Sequence, residues 1–321
     1  MKRIAIAILL AWIAAAALAQ TAPEYRILKA STAKNAASEW NAAADQGYRV
    51  IFEGRFALMR LEASAPDTYR YASLPDRNLR DTFLNALNQQ GAFGYRWVRG
   101  TRMLEKLPDP HVYEYAIVEG FTLGARRTSN GSLLSQGFTF AGRFGSIPIY
   151  MRDTTADPSA ADLMSNVRFA DGSTSGKLFK QIAALAAQGY RFRSLEPTDS
   201  GRHAMMQFCD AACGGPFEYR RFEVKDAAQV EKALNDLASD GYRIVPGSLE
   251  WEPYLVERPA ARSDRRTCSY RVSAAKDADS VEQFLNTAAR DGYTPVGFVA
   301  HAGWTFDVFI VAERPPASSP H

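Results

Sequence analysis

The apolar positions between Lys225 and Tyr242 predict one amphipathic helix. Asp226 is placed to cap its start, with Gln229 three residues later as in a capping box. Gly241 falls where a helix-ending residue adopts positive φ, and Tyr242 follows it where a side chain packs back on the last turn. The positions that fit one apolar helix face are Val230, Ala233, Leu234, Leu237 and Ala238.

Strand patterns flank this helix on both sides. Residues 217–224 alternate apolar or aromatic with charged residues, and 242–245 and 254–258 form two further strands separated by a Pro-Gly turn. A strand–helix–strand crossover is right-handed, and a hairpin then makes the third strand antiparallel to the second. We therefore expect a three-stranded sheet of order 1-3-2 with the helix on one face.

This unit is repeated along the chain. Residues 225–242 align without a gap on 276–293, with 11 of 18 positions identical. The pair formed by the helix-ending glycine and an aromatic residue occurs six times, and we use it to define six copies. The six pairs are Gly47-Tyr48, Gly94-Tyr95, Gly137-Phe138, Gly189-Tyr190, Gly241-Tyr242 and Gly292-Tyr293.

The predicted fold class is α+β, built from six tandem β-α-β-β copies in two halves of three. Because one small sheet with one helix is marginal alone, the copies should pack on each other to complete a core. The predicted spans are 20–64, 65–109 and 110–153 for copies one to three, 154–166 for a linker, 167–214, 215–261 and 262–314 for copies four to six, and 315–321 for a disordered tail.

Copies one to four depart from the best-matched pair in detail. In copy two, Leu84-Asn85 is aligned with Leu234-Asn235, so that residues 92–94 become an insertion after Gly91. Copy three is irregular, and its poor helix formers predict a short or broken helix. In copy one Thr32 is the predicted cap. The expected core positions of helices one and four are Ala36, Trp40, Ala43, Ala44, Leu178, Ile182, Leu185 and Ala186.

Residues 1–19 form a predicted secretory signal peptide. Lys2 and Arg3 precede an apolar run, and Ala17-Leu18-Ala19 predicts cleavage after Ala19. An N-terminal membrane anchor is the alternative, but the run is short and rich in alanine. We therefore expect a periplasmic or secreted protein with no transmembrane segment after signal removal.

Charge gives no indication of nucleic-acid or membrane binding. The formal net charge of +3 falls to +1 when Lys2 and Arg3 are removed. Eight Tyr-Arg dipeptides are the most repetitive chemical feature, and on a strand the Tyr should face the helix and the Arg the other side. Such a face could grip an anion, but acidic residues nearly balance the basic ones, so ion pairing is the interpretation that we favour.

The cysteines favour a disulfide in an oxidising compartment. Cys209 and Cys213 would close a short loop, with Cys268 as an alternative partner for either. A metal site of His203 with the two loop cysteines lacks a fourth ligand and the usual spacing, so no metal or other cofactor is predicted. The Cys-x-x-x-Cys pair also lacks the spacing of a redox motif.

No catalytic residue is predicted. The histidines are His111, His203, His301 and His321, and no serine lies in a nucleophile-elbow motif. The segment 172–177 is similar to a phosphate loop but lacks one residue between its glycines, so helix capping explains it better.

The repeated unit resembles the small domain of unknown function 4177. The matching pairs are Leu234-Asn235, Gly241-Tyr242 and Glu257-Arg258 in copy five, and Leu285-Asn286, Gly292-Tyr293 and Glu313-Arg314 in copy six. That family ends its helix in Gly-Trp instead of Gly-Tyr. The resemblance implies a fold and no activity.

Together these patterns predict an exported, non-enzymatic repeat protein that binds an unknown protein or envelope component. Repeat arrays commonly present surfaces for recognition. Two alternatives remain open. One is a small-ligand or metal binder with its site in copy three or the cysteine loop, and the other is an enzyme with a site between the two halves.

Overall fold

The computed structural model describes most of the six predicted copies. The described residues are 25–29, 33–53, 57–62, 69–74, 80–99, 101–117, 132–144, 147–156, 167–198, 201–209, 215–223, 226–249, 253–260, 267–300 and 308–316. The predicted signal peptide, Thr32, Cys213, His301 and His321 lie outside them.

The first three copies occupy residues 25–153. Copy one consists of β1 (Tyr25–Leu28), α1 (Ala33–Ala44), β2 (Tyr48–Glu53) and β3 (Ala57–Leu61). Copy two consists of β4 (Arg70–Ser73), α2 (Arg80–Gly91), β5 (Tyr95–Trp97) and β6 (Met103–Lys106). Copy three consists of β7 (Tyr113–Ile117), a helical turn over 132–135, β8 (Thr139–Phe144) and β9 (Ile147–Asp153).

The last three copies occupy residues 167–314. Copy four consists of β10 (Val167–Gly172), α3 (Ser175–Ala186), β11 (Tyr190–Thr198) and β12 (Gly201–Phe208). Copy five consists of β13 (Phe217–Phe222), α4 (Ala227–Ser239), β14 (Arg243–Ile244) and β15 (Tyr254–Pro259). Copy six consists of β16 (Ser269–Ala274), α5 (Ala278–Arg290), β17 (Thr294–Ala300) and β18 (Val308–Arg314).

Every copy contains the predicted sheet. The third strand lies between the first and the second and is antiparallel to both, which gives six sheets of order 1-3-2. The α+β class and the six-copy architecture are therefore confirmed.

The helix ends follow from the capping residues. The Asp226 carboxylate accepts a hydrogen bond from the backbone amide of Gln229 at 2.9 Å. The Thr174 hydroxyl accepts one from the backbone amide of Lys177 at 3.2 Å. The second contact confirms that capping explains the segment similar to a phosphate loop. At the other end of α4, the Tyr242 amide donates to the Leu237 carbonyl, as in a Schellman ending. The helix-ending glycines of all six copies have φ between 79° and 90°.

Each helix helps to build a core with its own sheet and with the sheet of the next copy. In copy five, Val230 and Leu234 pack with Tyr254 of their own sheet and with Val272 and Val311 of copy six. Apolar clusters of the same kind join copy one to two, two to three and four to five. Neighbouring copies thus complete each other's core, which a single small unit cannot do alone.

The copies are ordered in space as four, five, six, one, two, three. Val281 and Leu285 of copy six pack against Tyr25, Ile27 and Leu58 of copy one in one buried cluster. The first strand of the chain therefore docks on its last helix. In the apolar clusters of the described residues, copies three and four are the two ends of this series, although residues 154–166 join them in sequence.

The structure corrects the alignment of copy two. Helix α2 continues through Gly91, and residues 92–94 form the turn that ends in Gly94, so they are not an insertion. Asn88, six residues before Gly94, is equivalent to Asn235, and Asn85 lies on the exposed face. Gly91 has its own role, because a Cβ there would lie 2.2 Å from the Tyr113 carbonyl oxygen.

Candidate functional site

An asparagine on each of four helices holds the first strand of the next copy. Asn235 Nδ2 donates to the Tyr270 carbonyl at 3.0 Å, and its Oδ1 accepts from the Tyr270 amide at 2.9 Å. We name this contact the asparagine clamp. The other three clamps are Asn41 with Tyr71, Asn88 with Tyr115, and Asn286 with Tyr25.

A second contact links the edge of one sheet to the face of the next. The Tyr270 hydroxyl of copy six accepts from the Ile244 amide of copy five at 2.9 Å and donates to Glu313 Oε2 at 2.9 Å. Arg243 of copy five pairs with the same carboxylate at 2.6 Å. We name this set of an arginine, a glutamate and a tyrosine the lock.

Among the described residues, the lock occurs at three junctions. In the order Arg, Glu, Tyr, its members are Arg49, Glu105 and Tyr71 between copies one and two, Arg191, Glu257 and Tyr219 between four and five, and Arg243, Glu313 and Tyr270 between five and six. Glu105 is fully buried and also accepts from Arg96 at 2.7 Å. Because each glutamate is buried and faces a guanidinium, the locks combine hydrogen bonding with charge pairing.

Burial and the carboxylate fix the protonation of the lock. Burial raises the pKa of Tyr219 and Tyr270 well above the ordinary value, and the adjacent Glu257 and Glu313 add to the shift. The hydrogen bond to Glu313 raises the pKa of Arg243, and Glu257 does the same for Arg191. The tyrosines are therefore neutral donors and the arginines remain charged.

The junction between copies two and three has only part of the lock. The Tyr115 hydroxyl accepts from the Trp97 amide at 2.6 Å and donates to the Tyr95 carbonyl at 3.2 Å. Met151 stands opposite Tyr115 on the neighbouring strand, where copies two, five and six have the glutamate. The uncharged Met151 leaves this junction without an ion pair of the lock type.

A cation lies over each of the six helix-ending aromatic rings, and we name these rings with their cations the rim. Arg220 and Arg258 both lie over Tyr242, at 4.7 and 4.6 Å from its centroid. The other ring–cation contacts are Tyr48 with Arg26, Tyr95 with Lys106, Phe138 with Arg152, Tyr190 with Arg168, and Tyr293 with Arg271 and Arg314. Cation–π attraction thus recurs along the whole rim.

The rim cations also have polar partners. Arg220 pairs with Asp240 at 3.0 Å, and Arg258 with Glu218 at 2.7 Å. The hydrogen bond from Arg258 lowers the pKa of Glu218. Arg220 and Asp240 are nevertheless about half exposed. The rim therefore presents paired charges of both signs to solvent, in agreement with the ion-pairing interpretation of the Tyr-Arg dipeptides.

The predicted directions of these dipeptides need correction on the first strands. Tyr219 packs into the cluster of the preceding copy, whereas Arg220 lies over Tyr242 beside the end of its own helix. On the second strands the expectation is met in copy five, where Tyr242 lies at the end of its own helix and Arg243 reaches copy six. The sequence could not show this difference, because a sheet inside the series contacts its own helix on one side and the helix of the preceding copy on the other.

Among the described residues, Cys209 and His203 do not form one site. Cys209 lies six residues beyond His203 along an extended segment, a separation of about 20 Å. His203 is buried and bonds instead to Asp171 at 3.1 Å. Cys268 is a free thiol whose pKa is raised to about 11 by burial and by Glu313. The pairing of Cys209 with Cys213 stays a prediction, because Cys213 lies outside the described residues.

Other candidate chemistry is sparse in the described part of the chain. His111 bonds to Asp153 at 2.6 Å and stacks on Tyr113, as a polar contact of copy three. Within the described ranges, no group of three or more His, Cys, Asp or Glu side chains could hold a metal ion. The junction of the two halves at copies six and one is filled by apolar side chains.

The lock could not be predicted from the sequence, although its parts are visible there. Each arginine follows the helix-ending Gly-Tyr pair directly, and Glu257 and Glu313 stand near strand ends. To pair each arginine with its glutamate, one must know that the sheet edge of one copy contacts the sheet face of the next. The asparagine clamp has a stronger signal, because Asn41, Asn88, Asn235 and Asn286 each lie six residues before a helix-ending glycine.

No known protein family, curated protein or solved structure matches the chain. The resemblance to the domain of unknown function 4177 therefore stays a prediction. Among the residues that the structure describes, no helix is long and apolar enough to cross a membrane.

Proposed function

We propose that the protein is an exported, non-enzymatic repeat protein that serves as a binding or scaffold module in the bacterial periplasm or exterior. The observation that carries this proposal is the rim, where a cation lies over a helix-ending aromatic ring in all six copies. Clamps and locks hold neighbouring copies in fixed register. A partner would thus meet a regular series of similar sites.

The charges of the rim define the partner's chemistry. Arg220, Arg271 and their acidic partners Asp240 and Asp291 are each between 38% and 49% exposed. Paired charges of both signs suit a protein or envelope component that carries complementary charged groups, and such contacts act on specificity and association rate. We therefore expect binding that weakens with increasing salt.

The alternatives have less support. A site between the halves would need a cleft, whereas Leu58 and Val281 fill the contact between copies six and one. The cysteine loop between Cys209 and Cys213 and residues 118–131 of copy three lie outside the described residues, so the small-ligand alternative stays a prediction.

The test is capture from the periplasmic fraction of the source bacterium, with mature protein (residues 20–321) as bait. The rim variant combines Arg220→Ala and Arg271→Ala, and the control is Lys232→Ala, an exposed lysine on the outer side of α4. We expect one stoichiometric protein to be retained by the wild type and the control and lost with the rim variant. Equal retention by the rim variant, or a turnover that one substitution abolishes, would overturn the proposal.

A further inference from the structure

The junction between copies six and one differs from the locked junctions at one buried atom. The Tyr25 hydroxyl has no hydrogen-bond partner within the described part of the chain, and Tyr25 is only 1% exposed. At the equivalent place in copy six, the Tyr270 hydroxyl has both an amide donor and a carboxylate acceptor. Burying a polar group without a partner destabilises the packed state.

Three substitutions account for the missing contacts. Pro295 stands where Ile244 supplies its amide, and proline has no N–H. Arg60 stands opposite Tyr25, where Glu313 stands opposite Tyr270, so the acceptor is absent. Thr294 follows Tyr293, where an arginine follows the ring in copies one, two, four and five. The residues that supply the amide, the carboxylate and the guanidinium around a lock tyrosine are therefore all different at this junction.

The clamp is retained at this junction. Asn286 binds the amide and carbonyl of Tyr25, and Glu282 accepts from the Ile27 amide at 2.9 Å. Glu231 makes the equivalent contact with the Val272 amide at 2.8 Å. The junctions of copy six with copy one and of copy five with copy six thus have matching backbone contacts and differ in the lock.

We propose that the junction between copies six and one is the seam at which the array opens, while the locked junctions remain closed. Each half keeps the contacts among its own three copies when the seam separates, and residues 154–166 still join the halves in sequence. Opening exposes the edge of β1 and the apolar cluster around Leu58. Such local separation costs less than global unfolding when the contacts that must break are few.

Amide hydrogen exchange on the mature full-length chain tests the seam directly. The amides of Tyr25 and Ile27 are compared with those of Tyr270 and Val272, which have the same acceptor groups. We expect protection factors at least tenfold lower at Tyr25 and Ile27. Equal protection at the two junctions would overturn the proposal.

A thiol placed on the central strand separates seam opening from fraying of β1. Leu58 pairs with Ile27 as Val311 pairs with Val272, and both side chains are fully buried. Leu58→Cys should react with a thiol reagent at least tenfold faster than Val311→Cys, as read for each peptide by mass spectrometry. Equal rates would exclude a seam.

Installing the lock supplies the converse test. The variant Arg60→Glu/Thr294→Arg/Pro295→Val restores an acceptor, a guanidinium and an amide around Tyr25. We expect the rate of Leu58→Cys labelling in this variant to fall at least tenfold, towards the rate of Val311→Cys. An unchanged rate in a folded variant would show that the missing lock does not control opening.

Discussion

Asn235 bonds to both backbone polar groups of Tyr270, a residue 35 positions further along the chain. Tyr270 lies on β16, an edge strand of its sheet, where unpaired amide and carbonyl groups could otherwise pair with another chain. The clamp satisfies these groups and positions the next copy in the same contact. It therefore links the stability of the array to protection of its strand edges.

The clamp in copy two provides a test with a close control. Asn88→Ala should lower the free energy of unfolding by about 1–3 kcal/mol, because the amide and carbonyl of Tyr115 lose their partners. Asn85→Ala, on the exposed face of the same helix, should change it by less than about 0.5 kcal/mol. Urea unfolding measures both. Similar losses in the two variants would contradict the corrected alignment.

The lock around Glu105 should contribute more than a surface ion pair. Glu105→Gln leaves Arg49 and Arg96 without their carboxylate, and we expect a loss of roughly 2–4 kcal/mol in unfolding free energy. The control is Asp236→Asn, which breaks the exposed pair with Lys232 and should cost less than about 0.5 kcal/mol. Denaturant unfolding measures both variants. Equal losses in the free energy of unfolding would refute a stabilising role for the lock.

The lock tyrosines predict a loss of stability at alkaline pH. Burial and Glu313 raise the folded-state pKa of Tyr270 above its ordinary value of 10.0. The contribution of Tyr270 to the free energy of unfolding is therefore fully present below pH 10. It is lost as the pH rises above 10, because this tyrosine then ionises in the unfolded chain before it does so in the folded protein. For each lock tyrosine, the free energy of unfolding should fall by at most about 1.4 kcal/mol per pH unit.

The variant Tyr270→Phe isolates this effect. It should be less stable than the wild type at pH 8, but its stability should fall less steeply between pH 10 and pH 11.5. Urea unfolding across this range measures the slope. Parallel curves would mean that the Tyr270 pKa is not raised by folding.

Two glycines should respond in opposite directions to the same substitution. Gly241 has φ of 84°, and a Cβ added there would meet no atom within 4 Å, so Gly241→Ala should cost about 1 kcal/mol through backbone strain alone. Gly176 lies in the first turn of α3 with equally open space, so Gly176→Ala should stabilise by about 0.5–1 kcal/mol. Thermal unfolding measures the change in melting temperature of each variant. A change of the same sign in both variants would contradict this account.

Local signals in the sequence were sufficient to predict the unit. The apolar face of α4, the Asp226 cap and the glycine at its end all depend on neighbours within a few residues, and each is present as expected. The alignment of copy two failed because two glycines, Gly91 and Gly94, were equally good helix ends in sequence. Close packing of Gly91 against Tyr113 explains the first glycine without ending the helix.

The sequence by itself determined the α+β class, the six copies and the 1-3-2 sheets, because period, capping and turn chemistry are local properties. Only the tertiary structure decided that copy six docks on copy one, that Arg243 meets Glu313, and that the Tyr25 hydroxyl has no partner among the described residues. All three depend on residues far apart in the chain. The copies have similar local sequence patterns, so these patterns do not specify which copy packs on which. The packing of each helix between its own sheet and the sheet of a neighbouring copy selects one arrangement of the copies.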